Sequence, residues 1–306
     1  MAQQNNNNLS EEDQIRLAKF QDICRIYEIN NTFALRLRNL EGFEIVVIAD
    51  DSGSMNTPVA IPGSDPFGKL PSRWDELKHT VSIITDIAAV MDHDGIDVHF
   101  LNRGTLINVA HHSRLDEAFM TKAEGGTPIV PILRKVLSTK TEKRRLIIIA
   151  TDGCPDDFLG VDGSIVDGKV AFRYVLEKER AVTDYVTIVA CTDDDNVMSY
   201  LNGWDKELDR VDVVDDYHSE KGEIVAVQGP QFVFSFGDYV VKALMGAVDT
   251  WFDKLDEICI TGYTQINRSN SSNVAVASSY SNSSNLAAAN NHNSPYKKNK
   301  KGCIIS

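Results

Sequence analysis

Three oxygen-bearing side chains alternate in a short loop that could bind a divalent cation. Asp50, Ser52 and Ser54 follow the apolar run 44–49 directly, with Gly53 between the two serines. Mg²⁺ takes about six oxygen ligands in an octahedral array and combines few carboxylates with neutral oxygens and water. One carboxylate and two hydroxyls supply such a mixture, and a glycine lets the backbone turn closely around an ion. The spacing predicts a cation-binding loop.

Two later segments carry further oxygen ligands. Thr127 follows the pair Gly125-Gly126 just before a helical pattern, and Asp152 lies in a Thr-Asp-Gly sequence after a second apolar run, 146–150. In open parallel sheets, ligands bind outside the carboxyl ends of the strands. We therefore expect both segments to meet the first loop at one edge of a sheet.

The hydrophobic pattern alternates between short apolar runs and helical periodicity, which predicts the sheet itself. Apolar, β-branched runs typical of strands buried on both faces occur at 44–49, 96–101, 146–150, 186–191 and 211–214. Helical patterns occur at 10–28, 31–40, 73–91, 114–123, 128–138, 166–180, 196–208 and 231–256. This alternation predicts an α/β fold with a Rossmann-like, doubly wound, mostly parallel sheet and helices on both faces.

Composition and charge argue against several classes of protein. The chain has 31 Lys and Arg against 44 Asp and Glu, a net charge of −13. Residues 265–306 contain five basic and no acidic residues, so residues 1–264 carry −13 − 5 = −18, which argues against binding nucleic acid. No apolar run approaches the roughly 18 residues of a membrane span, and the first residues do not resemble a signal peptide. Five widely spaced cysteines favour reduced thiols.

The domain boundaries follow from these patterns. We expect a disordered Gln/Asn-rich segment at 1–9, N-terminal helices at 10–40, the α/β domain at 41–256, and a disordered Asn/Ser-rich tail at 257–302. Residues 303–306 form a separate motif.

The last four residues fit a lipidation signal. Cys303 is followed by two isoleucines and a terminal Ser306, a C-a-a-X prenylation pattern in which serine favours farnesyl. One lipid chain anchors a protein only marginally, and a basic patch can supply the second signal at roughly 1 kcal/mol per residue. The lysines that could do so are Lys297, Lys298, Lys300 and Lys301. These features predict a protein on the cytoplasmic side of a membrane, the plasma membrane in particular.

The three loop segments also carry a family resemblance. The order D-x-S-G-S-M, T-P after paired glycines, and an apolar strand followed by T-D-G resembles von Willebrand factor A (vWFA) domains with a metal-ion-dependent adhesion site. The match covers about residues 40–255, and the N-terminal helical pair resembles A-domain proteins of amoebae and fungi. The resemblance implies that Mg²⁺, or Mn²⁺ or Ca²⁺, is held by Asp50, Ser52, Ser54, Thr127 and Asp152, the last of these through water.

The resemblance further implies a function and one departure from the family. A protein ligand would supply a carboxylate to the cation, so we expect a cation-dependent protein-binding module and no enzyme. Asp51 is a second carboxylate where the family usually has a small or apolar residue. We expect it to add negative charge near the ion, which would favour Ca²⁺ or raise affinity generally.

Several alternatives stay open at the level of sequence. A Mg²⁺-dependent phosphohydrolase of the haloacid dehalogenase type also places an Asp after its first strand, but it needs a second Asp where Ser52 stands. The cation could instead be structural in a scaffold protein, or Asp50 and Ser52 could merely cap a turn. The remaining candidates are expected to be surface or structural groups: the acidic run 193–195, His99, His111 and His112.

Overall fold

The computed structural model describes residues 10–59, 70–91 and 94–260. The predictions for residues 1–9 and for most of the C-terminal tail, including Cys303 and the four lysines, lie outside the described residues. The chain divides into the units Met1–Gly262 and Tyr263–Ser306, and only the first contains described elements. Across the described ranges, no helix is both long enough and apolar enough to cross a membrane.

The fold is α/β, with a six-stranded sheet in the order β3-β2-β1-β4-β7-β8. All neighbouring strands in it are parallel except β2 and β3, which are antiparallel. A separate two-stranded hairpin is formed by β5 and β6. The strands are β1 (Phe43–Ala49), β2 (Ile96–Phe100), β3 (Thr105–Val109), β4 (Arg144–Thr151), β5 (Phe158–Leu159), β6 (Ile165–Val166), β7 (Asp184–Ala190) and β8 (Val211–Val214).

Helices connect the strands and cover them. They are α1 (Glu11–Ile26), α2 (Asn31–Arg36), α3 (Arg73–Met91), α4 (Asp116–Met120), α5 (Ile129–Ser138), α6 (Gly168–Tyr174), α7 (Asp195–Met198), α8 (Trp204–Glu207), α9 (Tyr217–Gln228) and α10 (Phe236–Met245). The central strands β1, β4 and β7 are buried at nearly every position, because α5 packs on β1, α3 on β1 and β2, and α10 on β4 and β7. The predicted α/β class and mostly parallel sheet are confirmed.

Several predicted elements differ in the structure. The helix predicted over 231–256 is shorter: Ser235 caps α10, which ends at Met245, and turns follow. The segment 166–180 is divided between β6, α6 and one π-helical stretch, and 196–208 is broken by Gly203, whose φ is +84°. The sequence pattern does not predict β3, the hairpin or α9.

Helix α2 packs on α10 and the segment after it, and α1 packs on α3. Phe33 is fully buried and makes edge-to-face contacts with Phe234, Trp251 and Phe252. Gly237 lies so close to this region that a Cβ on it would come within 2.1 Å of the Tyr27 carbonyl oxygen. Helices α1 and α2 are therefore part of the folded body.

Candidate cation site

Strand register brings the first and third predicted loops to one level at the carboxyl edge of the sheet. Ala49 pairs with Ala150, so Asp50 and Thr151 leave their strands side by side. The Thr151 hydroxyl donates to Asp50 Oδ2 at 2.6 Å, and the Ser52 amide donates to Asp50 Oδ1 at 2.8 Å. Asp50 is only 1% exposed, and neutral donors hold both of its oxygens.

A chain of hydroxyl groups connects the two loops. The Oγ atoms of Ser52 and Ser54 lie 3.0 Å apart, and Ser54 Oγ donates to Asp152 Oδ1 at 2.7 Å. Ser52 and Asp152 are buried, whereas Ser54 is exposed, so a solvent-accessible hydroxyl bridges two buried polar groups. The two serines and Asp152, separated by about a hundred residues in sequence, form one continuous polar group.

The glycine-rich loop completes this arrangement. Gly53 N donates to Gly125 O at 3.2 Å, which fastens the second loop to the first. Thr127 is 8% exposed, and its Oγ1 lies 4.0 Å from the position that a Cβ on Gly153 would take. Its amide donates to Asp156 Oδ2 at 2.6 Å, so the third loop also holds Thr127. All five predicted ligands therefore lie on three loops that are bonded to each other.

Asp51 has a different role from the one expected. Its Oδ1 accepts from the Asn102 amide at 2.8 Å and from the Asn102 side chain at 3.0 Å, while Oδ2 accepts from Arg103 Nε at 2.7 Å. The side chain of Asp51 is fully buried in this pair. Arg103 therefore compensates the charge of Asp51 in this structure, and the expected effect of Asp51 on cation affinity stays a prediction.

Arg73, the first residue of α3, is a component that sequence analysis missed. Its Nη1 donates to Asp152 Oδ2 at 2.8 Å and its Nη2 to Thr192 Oγ1 at 2.6 Å. The Arg73 side chain is 16% exposed and that of Asp152 is fully buried. Because Ser54 holds the other oxygen of Asp152, both oxygens of this carboxylate are already engaged.

The surroundings of Asp50 at the sheet edge disfavour the ionised form of its carboxyl group. Burial raises the pKa of Asp50 to about 6, and the negative charge of Asp152 adds to this, although the hydrogen bonds from Thr151 and Ser52 act in the opposite direction. A neighbouring cation would favour the ionised form.

The donor set fits a hard cation better than a soft one. It consists of two carboxylates and three hydroxyls, all oxygen, the ligand type that Mg²⁺, Mn²⁺ and Ca²⁺ prefer. In the part of the chain that the structure describes, no group of three or more His, Cys, Asp or Glu side chains is placed to hold a metal ion. A cation here would therefore depend on the neutral hydroxyls as much as on the carboxylates.

The other candidates have local partners. Asp194 caps α7 by accepting from the Asn196 amide at 3.0 Å. His112 Nδ1 lies 2.8 Å from Asp86 Oδ1, and His99 Nδ1 lies 3.0 Å from Thr105 Oγ1. His111 is paired in the same way with Ser113. These contacts agree with surface or structural roles.

Comparison with known proteins gives little. No protein-family model matches the chain, and no curated protein is significantly similar to it. Among solved structures, the PilB minor pilin from Streptococcus sanguinis is similar over 57% of this chain and 57% of its own, with 15% identity and a TM-score of 0.41. The D319A mutant of that pilin gives 12% identity, coverage of 70% and 62%, and a TM-score of 0.43. The chain thus spans less than two thirds of either pilin chain, and similarity this weak supports no conclusion on function.

Proposed function

We propose that this chain is a divalent-cation-dependent protein-binding module with a Rossmann-like, doubly wound vWFA fold. The ligands of Mg²⁺, or of Mn²⁺ or Ca²⁺, would be Asp50, Ser52, Ser54, Thr127 and Asp152. The observation that carries the proposal is the Ser52–Ser54–Asp152 chain of hydroxyl and carboxylate oxygens at the sheet edge.

Four of these residues, Asp50, Ser52, Ser54 and Asp152, have contacts that suggest a role for each. Thr151 and the Ser52 amide fix the orientation of Asp50. Ser52 and Ser54 present adjacent hydroxyl oxygens that carry no charge. Asp152 has both oxygens engaged by Ser54 and Arg73, which favours a role through a bridging water. When bound, the cation supplies an open coordination position that a carboxylate of a partner protein can occupy.

We propose that the module is tethered to the cytoplasmic side of the plasma membrane. A farnesyl group on Cys303 would act together with Lys297, Lys298, Lys300 and Lys301. The net charge of −18 on residues 1–264 would repel the folded body from an anionic leaflet. The disorder that the sequence predicts for the tail would let about 40 residues reach roughly 35 Å, several times the ~8 Å Debye length, which would keep the body clear of the lipid.

Two other functions differ from this one in testable ways. A purely structural cation predicts that a chelator unfolds the domain, whereas a recruitment site predicts loss of the partner with the fold retained. A phosphohydrolase of the haloacid dehalogenase type would need an acid/base carboxylate at Ser52, and we propose no catalytic role for the chain.

Isothermal titration with MgCl₂ and MnCl₂ tests the proposed site. Asp50→Ala and Asp152→Ala are expected to abolish saturable binding while thermal unfolding stays cooperative, because both residues lie in strand-end loops. Asp194→Ala is the matched control, since Asp194 is an exposed carboxylate in another loop that follows a sheet strand. If Asp50→Ala binds the ion as tightly as the unsubstituted chain, the site is wrong.

A further inference from the structure

The hairpin formed by β5 and β6 exposes apolar side chains that the fold does not use. Phe158 pairs with Val166, and this inner pair packs against the main core. The next pair, Leu159 and Ile165, is 74% and 76% exposed. Val161 in the turn is fully exposed. Because successive residues of a strand point to opposite faces, anchoring the inner pair turns the outer pair toward solvent.

Two further apolar side chains are exposed on the helix that follows the hairpin. Val170 and Tyr174 are 67% and 55% exposed, and their i,i+4 spacing puts them on one face of α6. Residues 159–174 thus contain five large exposed apolar side chains within sixteen residues. Single exposed apolar residues are ordinary, but such a concentration is typical of an interaction surface.

The base of the hairpin is fastened to the candidate cation site. The hairpin begins six residues after Asp152, and Asp156 in this connection accepts a hydrogen bond from the Thr127 amide at 2.6 Å. Asp157 accepts from the Gly168 amide at 2.9 Å, and a Cβ on Gly168 would come within 2.3 Å of the Pro155 carbonyl oxygen. The root of the hairpin is therefore held by the loops that carry the candidate ligands Thr127 and Asp152.

We propose that hairpin 158–166, with the exposed face of α6, is a docking surface for the protein segment that offers its carboxylate to the cation. That segment would carry aliphatic or aromatic side chains beside its acidic residue. The inference rests on the proposed function, and it specifies the chemistry of the partner that the cation alone leaves open.

Charge favours a protein partner over a lipid surface. Residues 156–169 contain four aspartates and one lysine, a net charge of −3, and all four aspartates are exposed. An anionic membrane would be repelled by this segment as well as by the acidic body. A neutral or basic peptide surface with one carboxylate directed at the cation meets no such penalty.

The test uses a displayed library of random peptides, selected on the full chain in MgCl₂. Peptides with Asp or Glu next to Leu, Ile or Phe are expected to be enriched. The best peptide, made synthetically, should bind the double variant Leu159→Ser/Ile165→Ser at least tenfold more weakly, while Mg²⁺ affinity stays unchanged. Met120→Ser/Val182→Ser is the matched control, because both side chains are highly exposed elsewhere and the peptide should bind it normally.

The remaining outcomes separate this inference from the proposed function. If selected peptides depend on Leu159 and Ile165 but ignore EDTA and need no acidic residue, the docking surface stands and the cation-dependent function fails. Equal peptide affinity for the hairpin variant and the unsubstituted chain overturns the docking surface. So does a selection that yields no binder at all, or hairpin-dependent co-sedimentation with vesicles of phosphatidylcholine and phosphatidylserine, which would assign the hairpin to lipid.

Discussion

Replacing Arg73 by methionine should strengthen cation binding. The guanidinium lies 2.8 Å from Asp152 Oδ2 and neutralises one of the two carboxylates of the proposed site. Since the side chain is mostly buried and that of Asp152 fully so, bulk water screens this charge only partly. Arg73 is therefore a counter-ion of Asp152, and its positive charge would repel a divalent cation bound at the site. Methionine keeps much of the length of the side chain and removes the charge.

The size of the effect follows from Coulomb's law. Charges of +1 and +2 separated by a distance on the order of 6 Å repel by about 5 kcal/mol at an effective dielectric constant of about 20. Salt, solvent access and movement of the freed carboxylate reduce this, and we take about 2 kcal/mol as the expected net change. Since 1.4 kcal/mol is a factor of ten in affinity, the variant should bind Mg²⁺ roughly 30-fold more tightly.

Isothermal titration with MgCl₂ and electron paramagnetic resonance of bound Mn²⁺ measure this change. Arg73→Lys keeps the charge and should stay within a few-fold of the unsubstituted chain. Arg134→Met removes an arginine that pairs with Glu179, outside the candidate site, and should change nothing. Weaker or unchanged binding by Arg73→Met, with normal thermal unfolding, would refute the counter-ion role and leave Arg73 as a residue that only positions Asp152.

Three further expectations concern stability and membrane attachment. Burial raises the pKa of Asp212 from 3.8 to about 7, so the folded state keeps a proton that the unfolded chain has released. Asp212 should therefore make the free energy of unfolding fall as pH rises from about 4 to about 7, by at most about 4 kcal/mol, and urea unfolding of Asp212→Asn should show a smaller fall across this window. Phe33→Ala should cost about 3–5 kcal/mol in the same assay because it empties an aromatic contact, whereas Leu35→Ala, at an exposed position, should cost little. Cys303→Ser should move the protein from the membrane to the soluble fraction, and replacing the four nearby lysines should shift it to internal membranes; unchanged recovery of Cys303→Ser with membranes would eliminate the anchor.

The sequence predicts the central strands well because they are buried on both faces. Continuous apolar runs such as 146–150 indicate a strand whatever its neighbours are. Strand β3 lacks that signal: it lies at the sheet edge, Ile107 and Asn108 are exposed, and Asn108 adopts a φ of +53°. Edge strands with one solvated face carry too few apolar residues to be recognised by composition.

Helix α9 was missed for a related reason. Its sequence is mostly polar, and Ile224 is its one fully buried apolar side chain. Glu220 is equally buried because its Oε1 lies 2.8 Å from Lys242 Nζ, on α10. A helix that packs through an ion pair looks like a solvated surface helix in sequence, since the partner charge is known only from the tertiary structure.

The spacing of the residues predicted which loops meet at the sheet edge, but not which group pairs with each buried carboxylate. Asp50, Asp51 and Asp152 are all buried at the sheet edge. Asp51 forms an ion pair with Arg103, and Asp152 forms one with Arg73. Neither arginine belongs to a recognisable motif, so only the tertiary structure shows these pairs. The hydrogen bonds that Asp50 accepts come from a hydroxyl and an amide, which are neutral.

This difference bears on which residue would dominate cation affinity. A buried carboxylate with neutral donors retains most of its charge for an external ion, whereas a carboxylate in a close ion pair has already lost much of it. Asp50 is therefore the residue through which a cation would gain most, and Asp152 one whose contribution Arg73 limits. Cation affinity would then depend on Asp50, which keeps its charge, and on Asp152, whose charge Arg73 partly neutralises. Movement of Arg73 toward or away from Asp152 would lower or raise that affinity. The Arg73–Asp152 ion pair, and not the motif, would therefore decide how readily the site binds a cation.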